Sequence, residues 1–379
     1  MRSAGAVRAL TGPFTWLLGL LVLALPAQSG EEFAFLPAVR MDDPQHAQLL
    51  DIALAGERLV AVGERGVIVL SDDHGVSWQQ ADVPVSATLT ALHFPQPDVG
   101  WAVGHSGVIL HTTDGGLSWS LQFDGRDANR QYLAWAESRV AALEDAVATN
   151  DDPEQQDALE YALDDAVFAV DDAAEAIETG PADPFLDVLF LDATTGFAVG
   201  AYGMLYRTDN AGQDWQIAVD GVANPDRFHY YAMAAGSDGR LYLSGEAGLL
   251  YYSADRGANW TRVEDLYDGS LFGTIVSEGT VFAFGLRGHV FASADEGVSW
   301  VERANDERSS LYGGVRLADG RALMVGSGGL VLAFDAGGNR QAWRHPSRAS
   351  LSSAVQAKNG DIWLVGMKGL TALSEAKSL

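Results

Sequence analysis

The residues best suited to chemistry in this chain are cations that recur at one register. "RSSLY" begins at Arg308 and "RASLS" at Arg348, and "DGSLF" puts Asp268 at the same place one unit earlier. "RFHY" adds Arg227 and His229, while Arg65, Arg287 and Lys368 each follow a glycine by two residues. Guanidinium groups recognise carboxylates and phosphates through paired N–H donors. Brought together, these seven residues would bind an anion or an acidic peptide.

Other chemistries find little support. The eight histidines show neither H-x-x-x-H nor H-E-x-x-H spacing, so no zinc site is expected. There is no cysteine, hence no thiolate and no disulfide. No G-x-S-x-G elbow occurs, and "GSGG" at Gly326 sits between two short apolar runs instead of between a strand and a helix. No cofactor and no metal are expected. A formal net charge of −27 disfavours general nucleic-acid binding, because phosphates are repelled.

The elements that must position the cations come from a repeat. "GWAVGHSGVILHTTDGGLSW" ends at Trp119, and related stretches end at Trp78, Trp215, Trp260 and Trp300. A degraded copy ends at Trp343, and the half copy "IWLVGMKGLTAL" follows. The first turn glycines are Gly63, Gly104, Gly200, Gly245, Gly285, Gly326 and Gly366, spaced 41, 96, 45, 40, 41 and 40 residues apart. A period near 40 with several short strands per unit predicts an all-β, seven-bladed β-propeller. Each unit supplies an innermost strand A, strands B and C joined by G-x-x-G, and an outer strand D. "FAFLPAV" (33–39) is expected to provide the strand D that the last unit lacks, closing the ring.

Between strands C and D lies Ser/Thr-x-Asp-x-Gly-x-x-Trp, the Asp-box or bacterial neuraminidase repeat. Asp73, Asp114, Asp255 and Asp295, with Asn210 in the third unit, are read as structural, their side chains pinning the turn. Trp78, Trp119, Trp215, Trp260 and Trp300 are read as packing between blades.

The 96-residue spacing holds an insertion. Apolar residues at Leu133, Ala136, Val140, Leu143 and Val147, then Leu159, Leu163, Ala166, Val170 and Ile177, have helical spacing. Asp152 caps a second helix with Pro153 in its first turn, and Gly180 ends it. The prediction is an antiparallel hairpin at 127–179, between propeller segments 30–126 and 180–379, each arm roughly 30 Å long. Residues 124–179 hold 16 acids and 3 arginines, a net −13. The hairpin is either a solvated decoration or an arm that docks a partner. Its acidic pairs lack an EF-hand loop and are not read as a calcium site.

Residues 1–29 read as a cleavable signal peptide. Arg2 and Arg8 precede the short apolar run Phe14–Leu25, and small residues at Ala27 and Ser29 suit cleavage. The expected location is the periplasm.

Propeller topology places B–C turns and D–A connections on one face, and the Asp-boxes on the other. The hairpin and all seven candidate cations fall on the first face. Sialidases share the Asp-box, but their chemistry needs an arginine triad, a tyrosine nucleophile and a glutamate. Tyr230, Tyr231 and Tyr312 have no sequence-adjacent glutamate, and the nearest string to the sialidase Phe/Tyr-Arg-Ile-Pro motif is "AVRMDDP".

The repeat resembles that of the photosystem II stability/assembly factor family, over 49–373 apart from the insertion. The resemblance implies an exported seven-bladed propeller without enzymatic activity that binds an immature membrane subunit. The family's basic patch would correspond to Arg227, Arg308 and Arg348. The acidic hairpin and the strongly negative charge depart from the family pattern, and a photosystem client is not assumed. The expected function is a monomeric, non-catalytic propeller that holds a loop or tail of an inner-membrane protein and assists its complex. The alternative is a glycan-acting or glycan-binding protein.

Overall fold

The computed structural model describes residues 34–303 and 306–373; the expected signal segment lies outside them. Among the described residues there are seven antiparallel sheets, six of four strands and a last one of three. Each is a meander, with strands side by side in chain order. The innermost strands are Leu49–Ala55, Leu89–His93, Phe185–Phe190, Tyr230–Ala235, Leu271–Ser277, Leu311–Arg316 and Leu351–Gln356. Each packs against the next, and the seventh packs against the first, so the ring is closed.

The B strands read as unbroken apolar runs because a blade is covered on both faces by its neighbours. Gly100–Gly104, Gly196–Gly200 and Leu241–Gly245 are buried at every residue. Cores form between blades: Leu59, Ala61 and Val69 of the first share a cluster with Val355 and Val365 of the last.

The Asp-boxes fold as their residue types require. Ser71 Oγ donates to Asp73 Oδ1 at 2.7 Å and accepts the Gly75 N–H at 2.8 Å. Asp73 also accepts the Ser77 N–H at 2.8 Å and the Ser77 hydroxyl at 2.6 Å. The same set recurs at Asp114 and Asp295, and at Asp255 with the Asn259 amide in place of the serine hydroxyl. In the third blade Asn210 Oδ1 accepts the Asp214 N–H at 3.0 Å. The Ser77, Asn259 and Ser299 side-chain donors lead in holding the Asp73, Asp255 and Asp295 carboxyls down at about 2.

Box glycines and tryptophans meet the preceding blade. A Cβ on Gly75 would lie 2.0 Å from the Trp363 ring, and one on Gly257 2.5 Å from the Phe197 ring. Trp78 meets Trp363 edge-on at 5.5 Å, and Trp119 is buried in a cluster with Val60 and Leu70 of the first blade.

Ring closure differs from the sequence expectation. Residues 34–39 add no strand to the last sheet, whose outer strand is Thr371–Ala372. They lie instead across the exit of the first blade, where Ala38 N–H donates to Val83 O at 3.0 Å and Ser86 N–H to Ala34 O at 2.9 Å. Pro37, with no N–H, suits a crossing segment better than a ladder. The last blade docks on the short turn Pro44–His46, with Leu370 N–H donating to Gln45 O at 2.9 Å. Trp363 Nε1 also donates to His74 O at 3.1 Å.

The insertion is a helical hairpin, α1 (Gly125–Thr149) and α2 (Pro153–Thr179). Asp124 caps α1 in a capping box with Asp127, and Asp152 caps α2 by accepting the Glu154 N–H. Gly180, at φ 94°, ends α2. With 25 and 27 residues the arms are about 40 Å long, longer than expected. The base of α1 belongs to the propeller. Ala128 is buried with Phe123 and Phe185, and its carbonyl accepts the Tyr206 hydroxyl at 3.0 Å. Gln131 bonds Trp215 O at 2.7 Å and the Ile217 N–H at 3.0 Å.

Candidate binding face

The face opposite the Asp-boxes is built by one device used in every blade. The glycine ending each B strand abuts the residue just before the innermost strand of its own blade. A Cβ on Gly104 would lie 2.2 Å from Thr88 O, and the His105 N–H donates to that carbonyl at 2.8 Å. This glycine is extended; its need is close approach, not left-handed φ. The left-handed residues come two positions later, at Arg65, Ser106, Tyr202, Ala247 and Arg287, with φ between 49° and 59°. Such a backbone lifts these side chains out of the turn, at about 1 kcal/mol each.

The entrance arginines lie beside these turns. A Cβ on Gly329 would be 3.3 Å from Arg348 Cα, and one on Gly203 3.8 Å from Arg227 Cα. Arg287 N–H donates to Ser310 Oγ at 3.2 Å, which joins the fifth-blade turn to the Arg308 connection. Arg287, Arg308, Arg348, Lys368 and Arg65 thus follow one another around blades five, six, seven, seven and one. All five are exposed, and none has an ion pair among the described residues.

Arg227 and His229 stand apart from this arc. Arg227 pairs with Asp172 of α2 at 3.3 Å and lies over the Tyr132 ring at 5.2 Å, so it anchors the hairpin. His229 Nδ1 accepts the Tyr202 N–H at 2.9 Å, and Glu246 is 3.8 Å away. Charge is therefore divided: basic over blades five to one, acidic over the hairpin on blade three.

Between the two halves opens the central channel, about 210 Å³, lined by all seven innermost strands. Each of these strands carries a β-bulge at its second residue. The bulge turns Leu50, Thr90, Leu186, Tyr231, Phe272, Tyr312 and Ser352 into the mouth. An aromatic arc results: Tyr202 to His229 at 4.8 Å, His229 to Tyr231 at 6.2 Å, Tyr231 to Phe272 at 5.1 Å, Phe272 to Tyr312 at 5.7 Å. Burial, then the Glu246 charge, pushes the Tyr231 phenol up, which is the wrong direction for a nucleophile.

One layer deeper stand Asp51 and Asp187. Each accepts its own strand's next N–H and one from the following blade, Leu92 at 3.0 Å and Met233 at 2.6 Å. Burial raises both carboxyls, and Asp187, also facing the Asp51 charge, is pushed up to about 7. Sequence reading missed this layer, and it named His229, Tyr231 and Tyr312 without joining them into an arc; the signal was the second and third positions of each innermost strand.

A closed disc of seven antiparallel meanders with Asp-boxes on one face and a polar, aromatic mouth on the other defines an Asp-box propeller. The sequence profile described as "Photosynthesis system II assembly factor YCF48" matches residues 69–134 and 169–378. The chain belongs to that family. Over 79 residues it is 35% identical to the photosystem II assembly lipoprotein Ycf48 of Synechococcus sp. (strain CC9902), a match spanning 21% of this chain and 23% of that protein. Among solved structures it is similar to "YCF48 bound to D1 peptide" (TM-score 0.58, 16% identity, covering 88% of this chain and 97% of the other). It is also similar to YCF48 from Cyanidioschyzon merolae (0.57, 14%, 86% and 94%) and to the WD40 propeller domain of Doa1 (0.58, 10%, 89% and 95%).

Proposed function

We propose that this propeller is a non-catalytic binding protein that holds an exposed loop or tail of a membrane-protein client and assists the client's complex. The observation that carries the reading is the arc of five unpaired cations beside an aromatic channel mouth. That pairing suits an extended segment bearing carboxylates, such as acidic side chains or a chain terminus. A related propeller is described as bound to a D1 peptide. The chain acts as a monomer after export to the periplasm and removal of residues 1–29.

The test is capture of client from solubilised inner membranes. Arg308→Glu/Arg348→Glu should weaken capture on the order of tenfold or more, and added salt should weaken the wild type in parallel. Capture unchanged by the double reversal would remove the arc from consideration. Turnover of a sialoside by the purified chain would instead favour a glycan-acting protein.

A further inference from the structure

On the other side of the same face, the hairpin and blades three and four enclose a groove of about 610 Å³. Tyr132 and Trp135 of α1 and Asp165 and Phe168 of α2 form one wall; the connection 219–227 and Trp260 form the other. Phe168 is 69% exposed, and Tyr161, seven residues earlier on the same helix, is 77% exposed. Phe168 at the cavity and Tyr161 further along the helix leave apolar area uncovered. Two lining donors, Arg227 Nε and Trp260 Nε1, are buried without a hydrogen-bond partner among the described residues. The equivalent indoles of Trp119 and Trp300 are satisfied by their box glycines at 3.0 and 2.9 Å, while those of Trp215 and Trp343, away from the groove, share the condition of Trp260.

Charge decides what fits. Residues 124–179 carry a net −13, and Asp165 has no ion pair among the described residues. The two lining arginines are engaged: Arg227 with Asp172, and Arg139 over the Trp135 ring at 5.6 Å. An anionic lipid surface is repelled by such a wall. A chain with apolar anchors for the rings and cationic side chains for the carboxylates is attracted.

We propose that this groove docks a cationic amphipathic segment of a partner protein. Residues 135–168, which carry Trp135, Asp165 and Phe168, fall outside the matched family profile, so this site is separate from the cationic arc.

The experiment measures anisotropy of a labelled amphipathic Leu/Lys peptide, and of its Leu/Glu counterpart, against the full chain. The Leu/Lys peptide should bind and the Leu/Glu peptide should not. Phe168→Ala and Asp165→Lys should each weaken binding on the order of tenfold. Glu57→Lys, the same charge change on the opposite face, should leave it within about twofold. Arg308→Glu/Arg348→Glu should not weaken it, which separates this site from the client arc. Both hairpin positions are exposed, and unchanged unfolding midpoints should confirm that the variants are folded. Wild-type affinity in Phe168→Ala overturns the proposal, as does equal weakening by Glu57→Lys, which would show diffuse charge attraction. Self-association of the free chain that Phe168→Ala abolishes would also overturn it, by assigning the groove to a second copy.

Discussion

At the scale of single residues, Asp187 and Gly104 make opposite points about reading a sequence. Asp187 has an ordinary identity and an unusual place. Its raised carboxyl means that, between the usual carboxylate range and about pH 7, the folded chain holds a proton the unfolded chain has lost. The stabilisation is complete at acid pH and disappears as pH rises through about 7. Asp187→Asn should flatten this part of the profile, measured as urea midpoint between about pH 5 and 8. An identical slope in the variant would place the titration elsewhere. Gly104 was recognisable in the repeat, but its purpose was not. A turn glycine suggests left-handed backbone; here the backbone is extended and Thr88 O fills the space a side chain would need. Gly104→Ala should cost about 3 kcal/mol, visible as a lower thermal midpoint.

At the scale of elements, the strands, Asp-boxes and helical caps were legible because each depends on residues a few positions apart. Thr112, Asp114 and Gly116 specify their turn locally, and Asp152-Pro153 specifies a helix start. What lay hidden depends on contacts distant in sequence, such as Tyr206 reaching Ala128, or Phe35 stacking under Arg126 at 4.3 Å. Hence "FAFLPAV" looked like a strand in search of a sheet, and its actual partners at Val83 and Ser86 carry no local signature. Trp119→Ala should cost about 3–5 kcal/mol in chemical denaturation, since the ring fills the seam between two blades. The hairpin should divide in two on deletion. Removing 135–168 and joining the stubs with a short turn should leave the unfolding midpoint nearly unchanged. Removing 127–179 uncovers Phe123 and Tyr206 and should lower it by several degrees. Equal midpoints for the two deletions would show that Ala128 and Gln131 do not brace the third blade.

At the scale of the whole molecule, the period near 40 fixed the blade number, and blade topology fixed which loops share a face. The candidate cations could be placed on that face from sequence, yet not sorted. Arg227 and Arg348 occupy the same register and the same left-handed backbone, at φ 53° and 54°. Only the hairpin, arriving from 55 residues away in the chain, takes Arg227 out of the arc by supplying Asp172. The charge division across the face is therefore a product of the insertion meeting one blade.

The sevenfold bulge has a consequence for how such a mouth can be re-specified. Because position two of every inner strand stands outside the hydrogen-bond ladder, Leu50, Leu186, Tyr231, Phe272, Tyr312 and Ser352 are six seats that can change occupants without disturbing the frame, whereas the seventh, Thr90, ties blades two and three by donating its hydroxyl to Val103 O and Phe185 O at 3.1 and 2.7 Å. A library randomised at those seats would alter preference for cargo while the disc keeps its melting behaviour. Selection, natural or in the laboratory, can thus edit the grip one seat at a time.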